Sequence, residues 1–351
     1  MRLLLVMLYL GLVTTTTYAD ERVDADAAAP ATPTAETLSE PGALAEYVTK
    51  SLRTKGRCVL PIGIIKTDKT IDLYRVLGGV IEGVGMAAGS SSHPDGFRTV
   101  EATTQAHTTI VGPNPVFRLR ACQGLSIEHL TIESDRKGES DGGDADEGVG
   151  ISYEHVPGWP CNYLTLHKVA FGTPIGFKAG EKSGDHNAAD VTFSDCYFTD
   201  CKIGLEVNHN QGMNYRLTGC NFLMVETAVL LNRGGMVHLL DCFGFVEQWL
   251  VIKGGGPNLM PCRITNLNSD REPQHRPPVI VDASESTDQV RVIVDGVKVT
   301  QQGLHDRLHY SGHVYYRLPK NHKRSKSAIR VRDNDLNNYP WGGVYEPQVV
   351  E

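Results

Sequence analysis

Glu154, Lys178 and Glu206 fall on three successive repeats of this chain, and their types and spacing suit them to chemistry. Two carboxylates on one surface can divide the roles of acid and base in breaking a glycosidic bond. An amine between them can hold a sugar carboxylate or, deprotonated, take the proton α to it. Arginines and amides line up beside them. Aligned repeat by repeat, the two series read Arg118–Ser152–Lys178–Glu206–Leu230–Ile252 and Arg120–Glu154–Gly180–Asn208–Asn232–Gly254. Arg118 and Arg120 suit carboxylates. Asn208, Asn232 and the loop residue Arg233 complete the candidate binding set. The plainer reading of both series is a solvated sheet face with alternating charge.

A second cluster is acidic. Loop 133–148 reads ESDRKGESDGGDADEG and carries Asp141, Asp144, Asp146 and Glu147. Carboxylate oxygens at short spacing, with glycines for tight turns, are what calcium requires. The spacing is not that of an EF-hand, and a solvated acidic loop is the alternative. Asp185, His186, Asp190 and His209 supply further loop groups, with either histidine a candidate base. His305, His309 and His313 recur at helical spacing, but Gly312 and the lack of a neighbouring glutamate argue against zinc.

What must position these groups is a repeat. An eight-residue core begins at Leu125, Leu164, Val191, Tyr215, Val237, Cys262 and Val292. Its third place is always apolar: Ile127, Leu166, Phe193, Leu217, Leu239, Ile264 and Val294. Its sixth is apolar or Cys: Leu130, Val169, Cys196, Cys220, Cys242, Leu267 and Val297. Alternation at period two marks strands with one buried face. A polar or Gly residue between these places bends the chain. A second strand follows each core, as in Gly150–Tyr153, Gly176–Ala179, Gly204–Val207 and Ala228–Leu231. Three short strands per turn with like residues stacked predict an all-β, right-handed parallel β-helix, a solenoid. Leu44, Val48 and Leu52 lie at helical spacing before Gly56, so residues 42–54 predict a helix capping the open end.

The formal charge of −7 leaves no basic surplus for phosphates and argues against nucleic acid as a partner. Residues 1–19 read as a secretory signal: Arg2, the apolar run Leu3–Val13, then Thr17-Tyr18-Ala19. The run is too short to span a bilayer, so a secreted, periplasmic or cell-surface protein without a stable anchor is expected. Residues 20–41 read as a disordered linker, 42–335 as the β-helix and 336–351 as a tail. Export permits disulfides. Three of the eight cysteines fall in one inward column, where either a free thiol stack or one bridge is open. Oligomeric state is not legible.

The opening order of elements carries a resemblance. The capping helix is followed by Cys58-Val59-Leu60-Pro61-Ile62-Gly63, by Ile71-Asp72-Leu73, by Gly78-Gly79-Val80-Ile81-Glu82-Gly83-Val84-Gly85, and by coils like Leu125–Ile132. This resembles the pectate lyase superfamily over roughly residues 42–300. The resemblance implies a β-helix that takes a polysaccharide along the outward side of the second strands, and an acidic calcium loop near the place of loop 133–148. The superfamily houses lyases, hydrolases, epimerases and inert coats, so the fold leaves the reaction open. The enzymes' motif sets do not carry over: Glu128-His129 stands for the Asp-His of the calcium-dependent lyases, and their Arg-x-Pro-x-x-Arg is missing. Two functions from different classes follow. One is a lyase or hydrolase acting on an acidic polysaccharide. The other is a non-catalytic glycan-binding or surface-structural β-helix.

Overall fold

The computed structural model describes residues 32–86, 107–134, 148–180, 188–209, 211–233, 235–253, 262–269, 279–282, 291–299, 314–317 and 328–332. The expected signal segment, the tail and the three spaced histidines lie outside these residues. Every strand ladder among them is parallel, each strand pairing with its counterpart one turn on. The chain is therefore a parallel β-helix, right-handed as parallel crossover connections are.

The expected register holds at all seven repeats. Ser126 pairs with Thr165, Val191 with both Leu164 and Tyr215, Tyr215 with Val237, His238 with Arg263, and Cys262 with Val292. The inward column begins two turns earlier than the repeat was read. Cys58, Ile81, Ile127, Leu166, Phe193, Leu217, Leu239 and Ile264 stack in succession, all fully buried. Side chains of identical direction repeat at the ~4.8 Å strand spacing, so like packs on like. The second inward column shows this in Phe171, Phe198 and Phe222. Their rings stack at 4.9 and 4.7 Å, nearly parallel, and Trp249 closes the row edge-on at 5.4 Å.

That aromatic row needs room on the opposite wall. A Cβ at Gly204 would meet the Ala228 carbonyl oxygen at 2.7 Å and the Phe222 ring at 2.9 Å; at Gly176 it would meet the Gly204 oxygen and the Phe198 ring, both at 2.8 Å. These glycines let the second strand pass close over the rings. The bend between third and sixth places is a single left-handed residue on five successive turns: His129, Lys168, Asp195, Gly219 and Asp241. Asp and Gly tolerate that conformation best, which accounts for the polar or Gly corner in the sequence.

The column Cys196–Cys220–Cys242 points inward, and all eight cysteines are buried free thiols. Of the two readings left open, the thiol stack is the one found. Each of the three Sγ atoms donates to a main-chain carbonyl one turn back, Cys196 to Leu166 at 3.3 Å. Helix α2, Ala43–Lys55, buries Leu44, Val48 and Leu52 against the first strands and stops at the left-handed Gly56. A further helical turn, α1 at Ala35–Leu38, lies inside the stretch expected to be linker. Thr34 caps it and Leu38 is buried, one apolar anchor sufficing to dock a single turn.

Candidate functional site

The outward side of the second strands carries the candidate groups. In register along it run Asp72, Arg118, Ser152, Lys178, Glu206 and Leu230, and beside them Tyr74, Arg120 and Glu154. The next residue after Leu230 is Val251, not Ile252. The ladder shifts by one residue between Phe222 and Val225, where Met224 turns left-handed in a bulge. Ile252 is consequently buried inside, and Lys253 takes the rung assigned to Gly254. Phe222 and Val225 both face inward three residues apart, against two for Gly244 and Val246. A count carried at fixed period from one turn to the next therefore runs one residue long.

Glu154 is held from two sides. Ser152 Oγ donates to its Oε1 at 2.7 Å, and Arg118 Nε stands 3.3 Å from the same oxygen as an ion pair outside hydrogen-bond geometry. Arg120 is bound in bidentate fashion to Asp72, Nε to Oδ1 at 3.0 Å and Nη2 to Oδ2 at 2.7 Å. Both arginines expected to take a substrate carboxylate thus already face a carboxylate of the chain. Lys178 differs. It is half-exposed, pairs in register with Ser152 and Glu206, and has no hydrogen-bond or ion-pair partner among the described residues.

Glu206 lies on the outward side but is only 7% exposed. Asn232 Nδ2 donates to its Oε1 at 2.7 Å and also reaches Asn208 Oδ1 at 2.7 Å. Asn208 and His209 are buried as well, and His209 Nδ1 accepts the Gln211 amide at 3.1 Å. Gly180 contributes no side chain between Glu154 and Asn208, and the His209 Cβ lies 3.1 Å from where a Cβ of Gly180 would be. Arg233 is exposed beside Asn232. The structure thus brings Lys178, Glu206, Asn208 and Asn232 into one patch, with Glu154 on the turn before. Asp141, Asp144, Asp146, Glu147, Asp185 and His186 lie outside the described residues. Among the described residues no group of three His, Cys, Asp or Glu could hold a metal, and no helix is long and apolar enough to cross a membrane.

The coil resembles solved structures. The catalytic domain of a GH87 alpha-1,3-glucanase in complex with nigerose aligns over 88% of this chain and 53% of its own, at 12% identity and a TM-score of 0.54. A variant of that domain with nigerose gives 13% identity, 88% and 52% coverage, and a TM-score of 0.56. The fold they share is the parallel β-helix. The chain spans about half the length of those glucanase domains. No protein-family model matches it, and no curated protein matches it by sequence.

Asp72, Tyr74, Arg75 and Trp159 were missed in the sequence. The strand Ile71-Asp72-Leu73 was already recognised, and extending the outward series one turn back would have reached Asp72 and Tyr74. Trp159 lies in an irregular loop that carries no period to read.

Proposed function

We propose that this protein is a secreted carbohydrate-active enzyme. It takes an acidic polysaccharide along the outward face of the second strands and cleaves it by β-elimination or hydrolysis. The observation that carries this reading is Lys178, a half-exposed cation without a partner among the described residues, flanked in register by Glu206 and one turn from Glu154. Lys178 supplies the charge that recognises a sugar carboxylate. Glu154, set against a guanidinium, and Glu206, set against an amide, stand in different surroundings, as an acid and a base on one surface must. Glycan-active neighbours of the same fold favour this reading without naming sugar or linkage.

The test is a panel of acidic and neutral polysaccharides, read at the ultraviolet absorbance of unsaturated uronates alongside a reducing-end assay. Absorbance identifies a lyase, and reducing ends alone a hydrolase. Calcium enters the proposal through the sequence of loop 133–148 only. If the loop binds it, millimolar calcium raises the melting temperature, and Asp144→Asn with Asp146→Asn abolishes the rise.

A second reading has its own observation. Arg118–Glu154, Arg120–Asp72 and Glu206–Asn232–Asn208 satisfy one another across turns, as charges on an inert solenoid would. On that reading the protein binds a glycan or serves as a surface structure. Retained binding without cleavage on any glycan selects it.

A further inference from the structure

The N-terminal end of the same face carries a group of side chains that the mechanism above does not use. Tyr74 is 40% exposed and Trp159 38% exposed. Between them sits Arg75, its guanidinium carbon 4.9 Å from the Tyr74 ring centre and 4.2 Å from that of Trp159. Arg120 approaches the Tyr74 ring at 5.3 Å, itself locked by the bidentate pair with Asp72. Trp159 is carried by a tight turn in which its amide donates to the Val156 carbonyl at 2.9 Å. Two large rings are thus kept at the surface and held in place by cations, rather than folded into the core where aromatic area stabilises most.

Arg75 is distinct from the other arginines of this face. Arg118 and Arg120 each face a carboxylate, whereas Arg75 has no ion-pair partner among the described residues. Stacking occupies the faces of a guanidinium and leaves its edge of N–H donors available. A rigid aromatic surface beside such a fork matches one ligand class. A pyranose ring has an apolar face of C–H groups, which packs on an aromatic ring, and a rim of oxygens, which accepts from N–H donors. Tyr74 also stands in register with Arg120 and, one turn further, Glu154. Two turns at the ~4.8 Å spacing separate it by roughly 10 Å of backbone from the candidate carboxylate. A chain lying along the coil would meet both places.

We propose that Tyr74, Arg75 and Trp159 form a subsite that stacks one pyranose unit of a glycan whose other end reaches Lys178 and Glu206. The proposal rests on the second-strand face being the glycan site. A short oligosaccharide can occupy the Lys178 end alone, while a longer one spans both. Loss of the aromatic surface therefore weakens binding in a length-dependent way.

The experiment titrates full-length protein with uronic-acid and neutral gluco-oligosaccharides of increasing length, by calorimetry and by tryptophan fluorescence. Trp159→Ala and Arg75→Gln are each expected to weaken binding of long oligosaccharides tenfold or more and to leave disaccharide binding unchanged. Trp159→Phe is expected to restore most of the loss, which a merely structural role for the loop would not predict. In a Trp341→Phe background, long ligands shift tryptophan emission, and adding Trp159→Phe removes that shift because the remaining Trp249 is buried in the core. Stronger weakening with uronates than with neutral sugars assigns Arg75 to a carboxylate; equal weakening assigns it to hydroxyls. If Lys178→Ala weakens binding but Trp159→Ala and Arg75→Gln bind like wild type at every length, the subsite is overturned while the face stands. If the wild type binds none of these oligosaccharides, the reading of the face fails and the subsite with it.

Discussion

The interior of the coil and the outward face of the second strands follow different rules. Inside the coil every rung is apolar, and two columns repeat residue on residue: Phe on Phe and Cys on Cys, with the glycines of the second strands opposite the rings. Outward, no rung repeats. Asp72, Arg118, Ser152, Lys178 and Glu206 succeed one another in a single column. A repeated interior is what stacking at a fixed spacing selects, because each side chain meets a copy of itself at van der Waals distance. Stacking gives the outward column no reason to repeat, so its residues reflect other demands. Substitutions inside should therefore act on stability, and substitutions outside chiefly on glycan handling.

The largest effect expected from the interior is alkaline unfolding. Burial pushes the thiols of Cys58, Cys161 and Cys201 up to about 12 and that of Cys122 to about 11, from an ordinary 9.0. The protonated thiol is favoured in the fold, so the unfolded chain binds fewer protons once pH passes about 9. Stability is fully present below that value and falls as pH rises from about 9 towards 12, by roughly 1.4 kcal/mol per pH unit for each such thiol. Circular dichroism against pH should show a steep loss of strand signal in this window. Alkylation at pH 8 should label no thiol until denaturant is added, after which all eight react. A fold unchanged at pH 12, or rapid labelling of Cys220 in the native protein, would break the buried-column account.

Truncating the aromatic row comes next. Phe198→Ala removes the ring between Phe171 and Phe222 and should cost about 3–5 kcal/mol in chemical denaturation. A loss below about 1 kcal/mol would mean the row does not carry the core. Gly204→Ala should cost less, about 1–3 kcal/mol, since its Cβ meets the Ala228 carbonyl and the Phe222 ring too closely. Phe222→Leu in the same chain should recover part of that loss if the clash is with the ring. Smallest is the outward Arg120→Ala. The pair with Asp72 is more than a third exposed, and its loss should cost about 1 kcal/mol or less.

The interior was legible in the sequence because alternation and period name it twice over. Phe193, Leu217 and Leu239 had to face inward once any one of them did. The capping helix was legible from Leu44, Val48 and Leu52 for the same reason. The outward face was legible only in part. Its register could be counted from the interior, which placed Lys178 beside Glu206, but the count ran one residue off after the bulge at Met224. Which charges pair was not legible: Arg120 reaches across one turn to Asp72, and Arg118 turns towards Glu154. Such pairings depend on side-chain reach, which has no period. The near-burial of Glu206 under its amide partner depends on the same kind of reach.

The central claim is that the outward face acts on a glycan while the interior only supports it. Turnover on the glycan found by the panel, measured together with melting temperature for Lys178→Ala and Glu206→Gln, tests it most directly. Glutamine keeps an acceptor for Asn232, so the fold should be spared. The account predicts that each variant loses at least about a hundredfold in turnover, the usual contribution of a general acid or base, with the melting temperature hardly moved. Full turnover in both variants would contradict it.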